Sequence, residues 1–259
     1  MAFISRNNTL AGLLLVAATL HGSLAQAQTK SFEERKQQIH AMDQQVSAEG
    51  SARKERSEAL LRAEGVPLPA GLPAIATQAN AHPRSTDAVA YRAMALLVVA
   101  AKGSGLDQPT VDKLVEGYNL TPRFTPEESL FIANPQPSEE QRIKFSWRYE
   151  SAWVLLWALG YVDTLDKPQN VCDVNSAAAI MLKRTPEEFI ADAKPRPLQE
   201  VLDQTDRTYR YDWNVVEARM KNTAPPAGLD ASVTYERHYA FNWLMGYMGQ
   251  EWDDVNTDT

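Results

Sequence analysis

The sequence predicts an all-α protein, a single compact bundle of about seven helices with a proline-rich N-terminal strap. Three observations predict this class. Helix start signals recur after Ser85, apolar residues follow them at helical spacing, and no stretch alternates polar and apolar residues for long enough to predict a strand. The chain also lacks a repeat of fixed period, which argues against a solenoid.

The first 27 residues predict a secretory signal peptide. Arg6 supplies the basic start, Thr9–Leu20 is apolar, and Ala25–Ala27 fits a cleavage site, so we predict a cut after Ala27. The apolar stretch is too short to span about 30 Å of hydrocarbon. We therefore expect a periplasmic or secreted protein with no stable membrane anchor after cleavage.

Composition divides the remaining chain into a polar helical leader, residues 28–52, and a helical domain, residues 53–259. The leader has too few apolar repeats for a coiled coil, so it is either a mobile helix or a docking arm. The strap lies at residues 65–85, where four prolines exclude the interior of a helix. These are Pro67, Pro69, Pro73 and Pro83.

Capping residues predict where the helices begin. Thr125 with Glu128 is a capping box with proline at the first helical position, and the same pattern recurs at Thr185 with Glu188. The predicted helices are Ser85–Gly103, Asp107–Tyr118, one after Thr125, one long helix from Ser138 to Gly160, one after Thr185, Leu198–Met220 and Thr234–Met248.

The tryptophans predict where the core lies. All six occur at or after Trp147, so we expect the centre of the core in the C-terminal half. Residues Ser151–Leu159 are apolar on every side, which is typical of a helix surrounded by others. The predicted aromatic core is Trp147, Trp153, Trp157, Trp213, Trp243 and Trp252.

Charged residues border these apolar helices. Arg148 and Glu150 lie one turn before the apolar run, and an unpaired buried charge costs several kcal/mol, so we expect both to be ion-paired to other helices. Such a cluster is either a salt-bridge lattice that fixes helix register or a polar pocket for a ligand. Its candidate residues are Arg148, Glu150, Asp206, Arg210, Glu236, Arg237, Asp253 and Asp254.

The chain carries no established catalytic motif. It has one cysteine, Cys172, which we interpret as a small buried hydrophobe in preference to a reactive thiol. A weak calcium candidate is Asp254, Asn256 and Asp258, which alternate as the first ligands of a calcium loop do; the alternative is an acidic tail held by Trp252, with Asp253 or Asp254 paired to Arg148 or Arg237. We predict no cofactor.

Several ordered stretches resemble one bacterial family. They are "RSEALLRAEGVPLPAGLP", "RAMALLVVAA", "WRYESAWVLLWALG", "KPQNVCD", "RPLQEVLDQTDRTYRYDW", "ERHYAFNWLMG" and "WDDVNTDT". Together they are similar to the domain of unknown function DUF4272 over roughly residues 53–259. The resemblance implies a helical domain and no established activity. The signal peptide and leader depart from the family pattern.

Three classes of function remain open. The formal net charge of −7 argues against a nucleic-acid partner. The first class is a binding module that recognises an unknown protein or small molecule through a charged cleft between helices. The second is a hydrolase that uses carboxylates among Glu150, Asp206, Glu236 and Asp254. The third is a structural protein that maintains the cell envelope.

Overall fold

Every regular element in the computed structural model is helical over the residues that it describes, 47–68 and 71–257. The α-helices are α1 (Ala48–Ala63), α2 (Thr86–Gly103), α3 (Gln108–Gly117), α4 (Pro126–Ala133), α5 (Glu139–Ser146), α6 (Arg148–Ala158), α7 (Val174–Leu182), α8 (Pro186–Ala191), α9 (Leu198–Met220) and α10 (Ala231–Leu244). The all-α class is confirmed. The predicted signal peptide, most of the leader and Asp258 lie outside the described residues.

The predicted capping residues begin the helices as expected. Thr125 caps α4 and Thr185 caps α8, each with a complete capping box in which the third residue of the helix returns a side-chain bond. Ser138 and Gln141 form the same box at the start of α5. These contacts join residues three positions apart, so the local sequence specifies them directly.

The long helix predicted from Ser138 to Gly160 is wrong. It divides at Trp147 into α5 and α6, and the Glu150 N–H bonds the Trp147 carbonyl in a tight three-residue turn. Both halves contact α2, which a straight helix would touch along only one line. Helix α7 was not predicted, although Asp173 caps it. The last helix spans Ala231–Leu244 and not Thr234–Met248.

The centre of the core is α2, which contradicts its predicted place in the C-terminal half. This helix contacts α3, α4, α5, α6, α7 and α8. Its sequence "AVAYRAMALLVVAA" is rich in small residues, which let neighbouring helices approach closely on every side. Arg92 and Lys102 are the charged side chains that it buries.

The tryptophans line the margins of this core. Trp157, Trp243 and Trp252 are buried, as predicted. Trp147, Trp153 and Trp213 are only half-buried, and Trp153 packs against the core from its margin. An indole ring is large, and it is seldom enclosed completely where helices cross closely.

The strap is held against α1 and α9 by buried side chains. Arg53 donates to the Ala76 carbonyl at 3.0 Å, and Arg210 donates to the Pro73 carbonyl at 3.2 Å. The amide of Asn214 donates to the Pro67 carbonyl at 3.1 Å. Prolines leave strap carbonyls without helical partners, and these side chains satisfy them.

Candidate functional site

Two ion pairs join α6 to α10 inside the bundle. Arg148 Nη1 donates to both carboxylate oxygens of Glu236, at 3.1 and 3.0 Å. Ser151 Oγ donates to Glu236 Oε2 at 2.6 Å, so this carboxylate accepts bonds from two residues of α6. Burial by itself would lower the pKa of Arg148, but the Glu236 carboxylate raises it above its ordinary value.

The second pair is Glu150 with Arg237. Arg237 Nε lies 3.2 Å from Glu150 Oε2, and Arg237 Nη1 donates to the Asp166 carbonyl at 2.7 Å. The backbone N–H of Cys172 donates to the other Glu150 oxygen. Arg148 and Glu150 are therefore both buried and paired to another helix, as the sequence led us to expect.

Cys172 lies against this second pair. Burial raises the pKa of its thiol, and the Glu150 carboxylate raises it further. The thiol stays protonated at neutral pH, and a protonated thiol is a poor nucleophile. The buried geometry fits a small apolar residue.

Asp206 and Arg210 pair with each other and not with another helix. Two bonds of 2.9 Å link the guanidinium to the two carboxylate oxygens, and both side chains are completely buried. The acid-then-base spacing in α9 predicts two local pairs: that of Asp206 with Arg210 is confirmed, and that of Asp203 with Arg207 does not form. Asp203 instead accepts bonds from Arg53 and Arg56 of α1, because α1 packs against this face of α9.

Sequence reasoning missed a buried pair between α9 and α10. His238 Nδ1 lies 2.8 Å from Asp212 Oδ2, and neither side chain is exposed. The Tyr209 ring lies 5.9 Å from the His238 ring. A histidine and an aspartate on separate helices give no local signal, so only the helix packing identifies them.

Asp253 and Asp254 are placed apart from these pairs. Both are exposed, and neither pairs with Arg148 or Arg237, which are already bonded to Glu236 and Glu150. They lie in a short turn, Trp252–Asp254, beside an open cleft of ≈ 550 Å³. Within residues 47–68 and 71–257, no three His, Cys, Asp or Glu side chains are placed to hold a metal ion.

The cleft is built from three parts of the chain that are distant in sequence. Helix α2 contributes Tyr91 and Arg92, and the loop into α4 contributes Arg123 and Phe124. Trp243 from α10 and the C-terminal residues Glu251–Asp254 complete its lining. We define this set as the Trp252 cleft. The sequence predicted only its C-terminal members, because no short motif connects the three parts.

Arginines stack on the aromatic rings of the Trp252 cleft. The Arg123 guanidinium carbon lies 3.7 Å from the centre of the Tyr91 ring, and that of Arg92 lies 5.0 Å from the Trp252 ring. Arg84 lies 5.2 Å from the Trp243 ring and also pairs with Glu251 at 2.9 Å. Cation–π stacking at such distances holds each guanidinium plane in place.

Arg92 is the buried charge of the cleft. Only 6 % of it is exposed, and its recorded hydrogen bond runs from Nη2 to Glu128 Oε2 at 2.5 Å. Its Nε has no partner among the described residues, and the same is true of the Trp252 indole nitrogen and Glu128 Oε1. By contrast, Arg53 bonds through all three of its guanidinium nitrogens.

The geometry thus defines an all-helical domain with buried ion pairs in its interior and an arginine-lined, mixed-charge cleft at its surface. None of the described helices has the length and apolar character needed to cross a bilayer. The chain belongs to the family described as Domain of unknown function (DUF4272), whose profile matches residues 53–255. Comparison with curated proteins and with solved structures gives no match in either set.

Proposed function

We propose that this domain is a binding module whose site is the Trp252 cleft, where it recognises a small ligand or a segment of a partner protein. The observation that carries the proposal is that two residues lining the cleft, Arg92 and Trp252, each bury a nitrogen, Nε and Nε1, that has no hydrogen-bond partner among the described residues. Buried donors without partners are costly, so native proteins keep few of them. A ligand in the cleft would supply acceptors for such donors.

The shape and composition of the cleft support this proposal. Its ≈ 550 Å³ falls within the range of roughly 300–1,000 Å³ that small-molecule sites occupy. Aromatic rings and a few convergent charged groups line it, and this composition is typical of such sites. The buried pairs of α6 and α10 lie behind Trp252, since Arg148 is 5.8 Å from the same indole ring.

The other two classes of function gain less support. A carboxylate hydrolase needs two carboxylates in one open cleft without an arginine on each. Glu150, Asp206 and Glu236 are each paired with an arginine and do not line the cleft. Of the hydrolase candidates, Asp254 alone lines the cleft, beside Asp253, so the hydrolase class depends on that one pair of carboxylates. A purely structural role would account for the buried ion pairs but not for an open cleft at which Arg123, Asp253 and Asp254 have no ion-pair partner among the described residues.

The test is a thermal-unfolding screen of the chain from Gln28 to Thr259. Its panel holds amino acids, short peptides, cell-wall fragments, sugars, nucleotides, calcium and a chelator. A ligand at one hundred times its Kd adds about 2.7 kcal/mol, which for this size raises Tm by roughly 5–10 °C. We expect at least one such hit.

A variant of the cleft checks where the hit binds. Arg123→Gln removes an exposed arginine from the cleft, and Arg184→Gln removes an arginine that stacks on Tyr161 and pairs with Asp192 outside the cleft. The shift should shrink in the first variant and persist in the second. A panel without hits, or a hit that Arg123→Gln leaves unchanged, would overturn the proposed site.

We also propose that the domain acts outside the cytoplasm. The support is the signal-peptide pattern of residues 1–27, which is independent of the fold. Cell fractionation followed by intact-mass measurement checks it, and we expect a periplasmic or secreted species that begins at Gln28. A cytoplasmic species that retains residues 1–27 would contradict it.

A further inference from the structure

We propose that the Trp252 cleft binds a zwitterion, either a free α-amino acid or a short peptide. In this arrangement Arg123 receives the carboxylate, and Asp253 with Asp254 receives the ammonium group. The inference rests on the proposed function, because it names the ligand class of the same site. It depends on which charged side chains of the cleft already have an ion-pair partner within the protein.

The arginines point to a carboxylate. Arg123 is exposed and stacks on Tyr91 at 3.7 Å, so the face of its guanidinium is occupied while its edge remains available. Arg92 also stacks on a ring, that of Trp252 at 5.0 Å, but it is buried and already paired with Glu128, so Arg123 is the arginine that offers a free edge. A guanidinium presents its N–H groups along that edge as a planar fork, which matches the two oxygens of a carboxylate.

The aspartates point to a cation on the same ligand. Asp253 and Asp254 line the cleft, are exposed, and form no ion pair with any described residue. The third acid, Glu251, is already paired with Arg84 at 2.9 Å. Two carboxylates without an ion-pair partner, beside the exposed Arg123, favour a ligand that carries both signs of charge over a purely anionic one.

The same acids argue against a phosphate ligand. A phosphate group carries up to two negative charges and would lie near Asp253, Asp254 and Glu251, where like charges repel it. The nearby start of α4 offers little compensation, because Pro126 has no N–H and the N–H groups of Thr125 and Glu128 are already bonded within the capping box. An α-carboxylate carries a single charge, and its own ammonium group offsets the acids.

The aromatic lining accommodates a side chain or a second residue. Phe124 and Trp243 line the cleft together with the two stacked rings, and their apolar surface suits an apolar ligand side chain. The cleft volume of ≈ 550 Å³ leaves room for more than a single amino acid. A short peptide with an apolar residue therefore fits the cleft better than glycine does.

Isothermal titration of three matched probes tests the charge requirement. The probes are alanyl-phenylalanine, its C-terminal amide and its N-acetyl form, titrated into the chain from Gln28 to Thr259. We expect the free dipeptide to bind at least tenfold more tightly than either blocked form. Equal binding of the N-acetyl form would overturn the role of the aspartates, and equal binding of the amide would overturn that of Arg123.

Variants assign each charge to its side of the ligand. Arg123→Gln should weaken the free dipeptide and the N-acetyl form alike. The double change Asp253→Asn with Asp254→Asn should weaken only probes with a free ammonium group. Asp163→Asn changes an exposed aspartate that does not line the cleft and should alter none of the affinities.

The outcomes separate the two proposals. If the dipeptide does not bind while another compound binds in a manner sensitive to Arg123→Gln, the zwitterion inference fails and the binding site stands. If neither the dipeptides nor the wider panel bind, both proposals fail. Binding of the dipeptide that none of the cleft variants alters would place the ligand elsewhere and overturn the inference.

Discussion

Charged side chains in the interior of the bundle are ion-paired, whereas several of those at the Trp252 cleft are not. Between α6 and α10, each carboxylate meets an arginine, as in Arg148 with Glu236 and Glu150 with Arg237. In the cleft, Arg123, Asp253 and Asp254 are exposed and have no ion-pair partner among the described residues. Trp252 separates the two regions, since arginines from both lie near its ring.

The difference indicates which charges serve the fold. A buried pair contributes little net stability compared with an apolar replacement, but it is costly to break, so it fixes the register of two helices. A charged side chain without an ion-pair partner at a cleft does not fix the register of any two helices. We therefore read the interior pairs as scaffold and the cleft as the place to search for function.

The largest expected effect comes from breaking an interior pair. Glu150→Ala strands the Arg237 guanidinium and removes the acceptor of the Cys172 N–H, so it should lower the free energy of unfolding by about 3–5 kcal/mol. Urea denaturation measures this loss. The control is Glu251→Ala, which breaks a pair whose carboxylate is 73 % exposed and should cost about 0–1 kcal/mol. Equal losses in the two variants would erase the contrast between the regions.

A smaller effect should come from the short turn Tyr247–Gly249, which joins α10 to the segment with the cleft acids. Gly246 and Gly249 both have positive φ, +64° and +66°, so an alanine at either position strains the backbone. At Gly246 the added Cβ would also lie 2.5 Å from the His82 carbonyl oxygen, whereas at Gly249 nothing lies within 4 Å. Gly246→Ala should therefore cost about 1–3 kcal/mol more than Gly249→Ala in the same urea measurement. Equal costs would show that the turn shifts freely away from the strap.

Alkaline pH should lower the free energy of unfolding through the buried tyrosines of the interior. Burial raises the pKa of Tyr211 and Tyr239, and Glu64 raises that of Tyr211 further. Unfolded tyrosines ionise near pH 10, so the stability that these two contribute is complete below pH 10 and is lost as pH rises above it.

The expected loss is about 1.4 kcal/mol per pH unit for each tyrosine that stays protonated. Urea denaturation from pH 9 to pH 11, followed by tyrosinate absorbance, measures it. Tyr239→Phe should reduce the slope of the free energy of unfolding against pH, since one of these two buried phenols is then absent. A free energy of unfolding that stays constant up to pH 11 would contradict the burial of these phenols.

The smallest effect should come from the cleft acids themselves. The double change Asp253→Asn with Asp254→Asn removes two exposed carboxylates that have no ion pair among the described residues. It should change the free energy of unfolding by no more than about 0.5 kcal/mol for each substitution. Thermal and urea unfolding both check this. A loss that approaches that of Glu150→Ala would mean that these acids belong to the scaffold after all.

The sequence by itself determined the helical class, the capping residues and the bounds of α9. Each of these rests on contacts between residues a few positions apart, such as Thr125 with Glu128. The sequence also indicated that Arg148 and Glu150 need partners, because a lone charge in an apolar helix is too costly. The family of the chain was also recognisable from the order of several sequence stretches.

Only the tertiary structure decided which partner each charge takes and where the cleft lies. Arg148 and Glu150 bond to residues 88 and 87 positions away, and a long side chain can reach several neighbouring helices. The break at Trp147 and the central place of α2 likewise depend on how whole helices pack. The Trp252 cleft joins three segments that are distant along the chain, and contacts between distant segments form only when the chain folds.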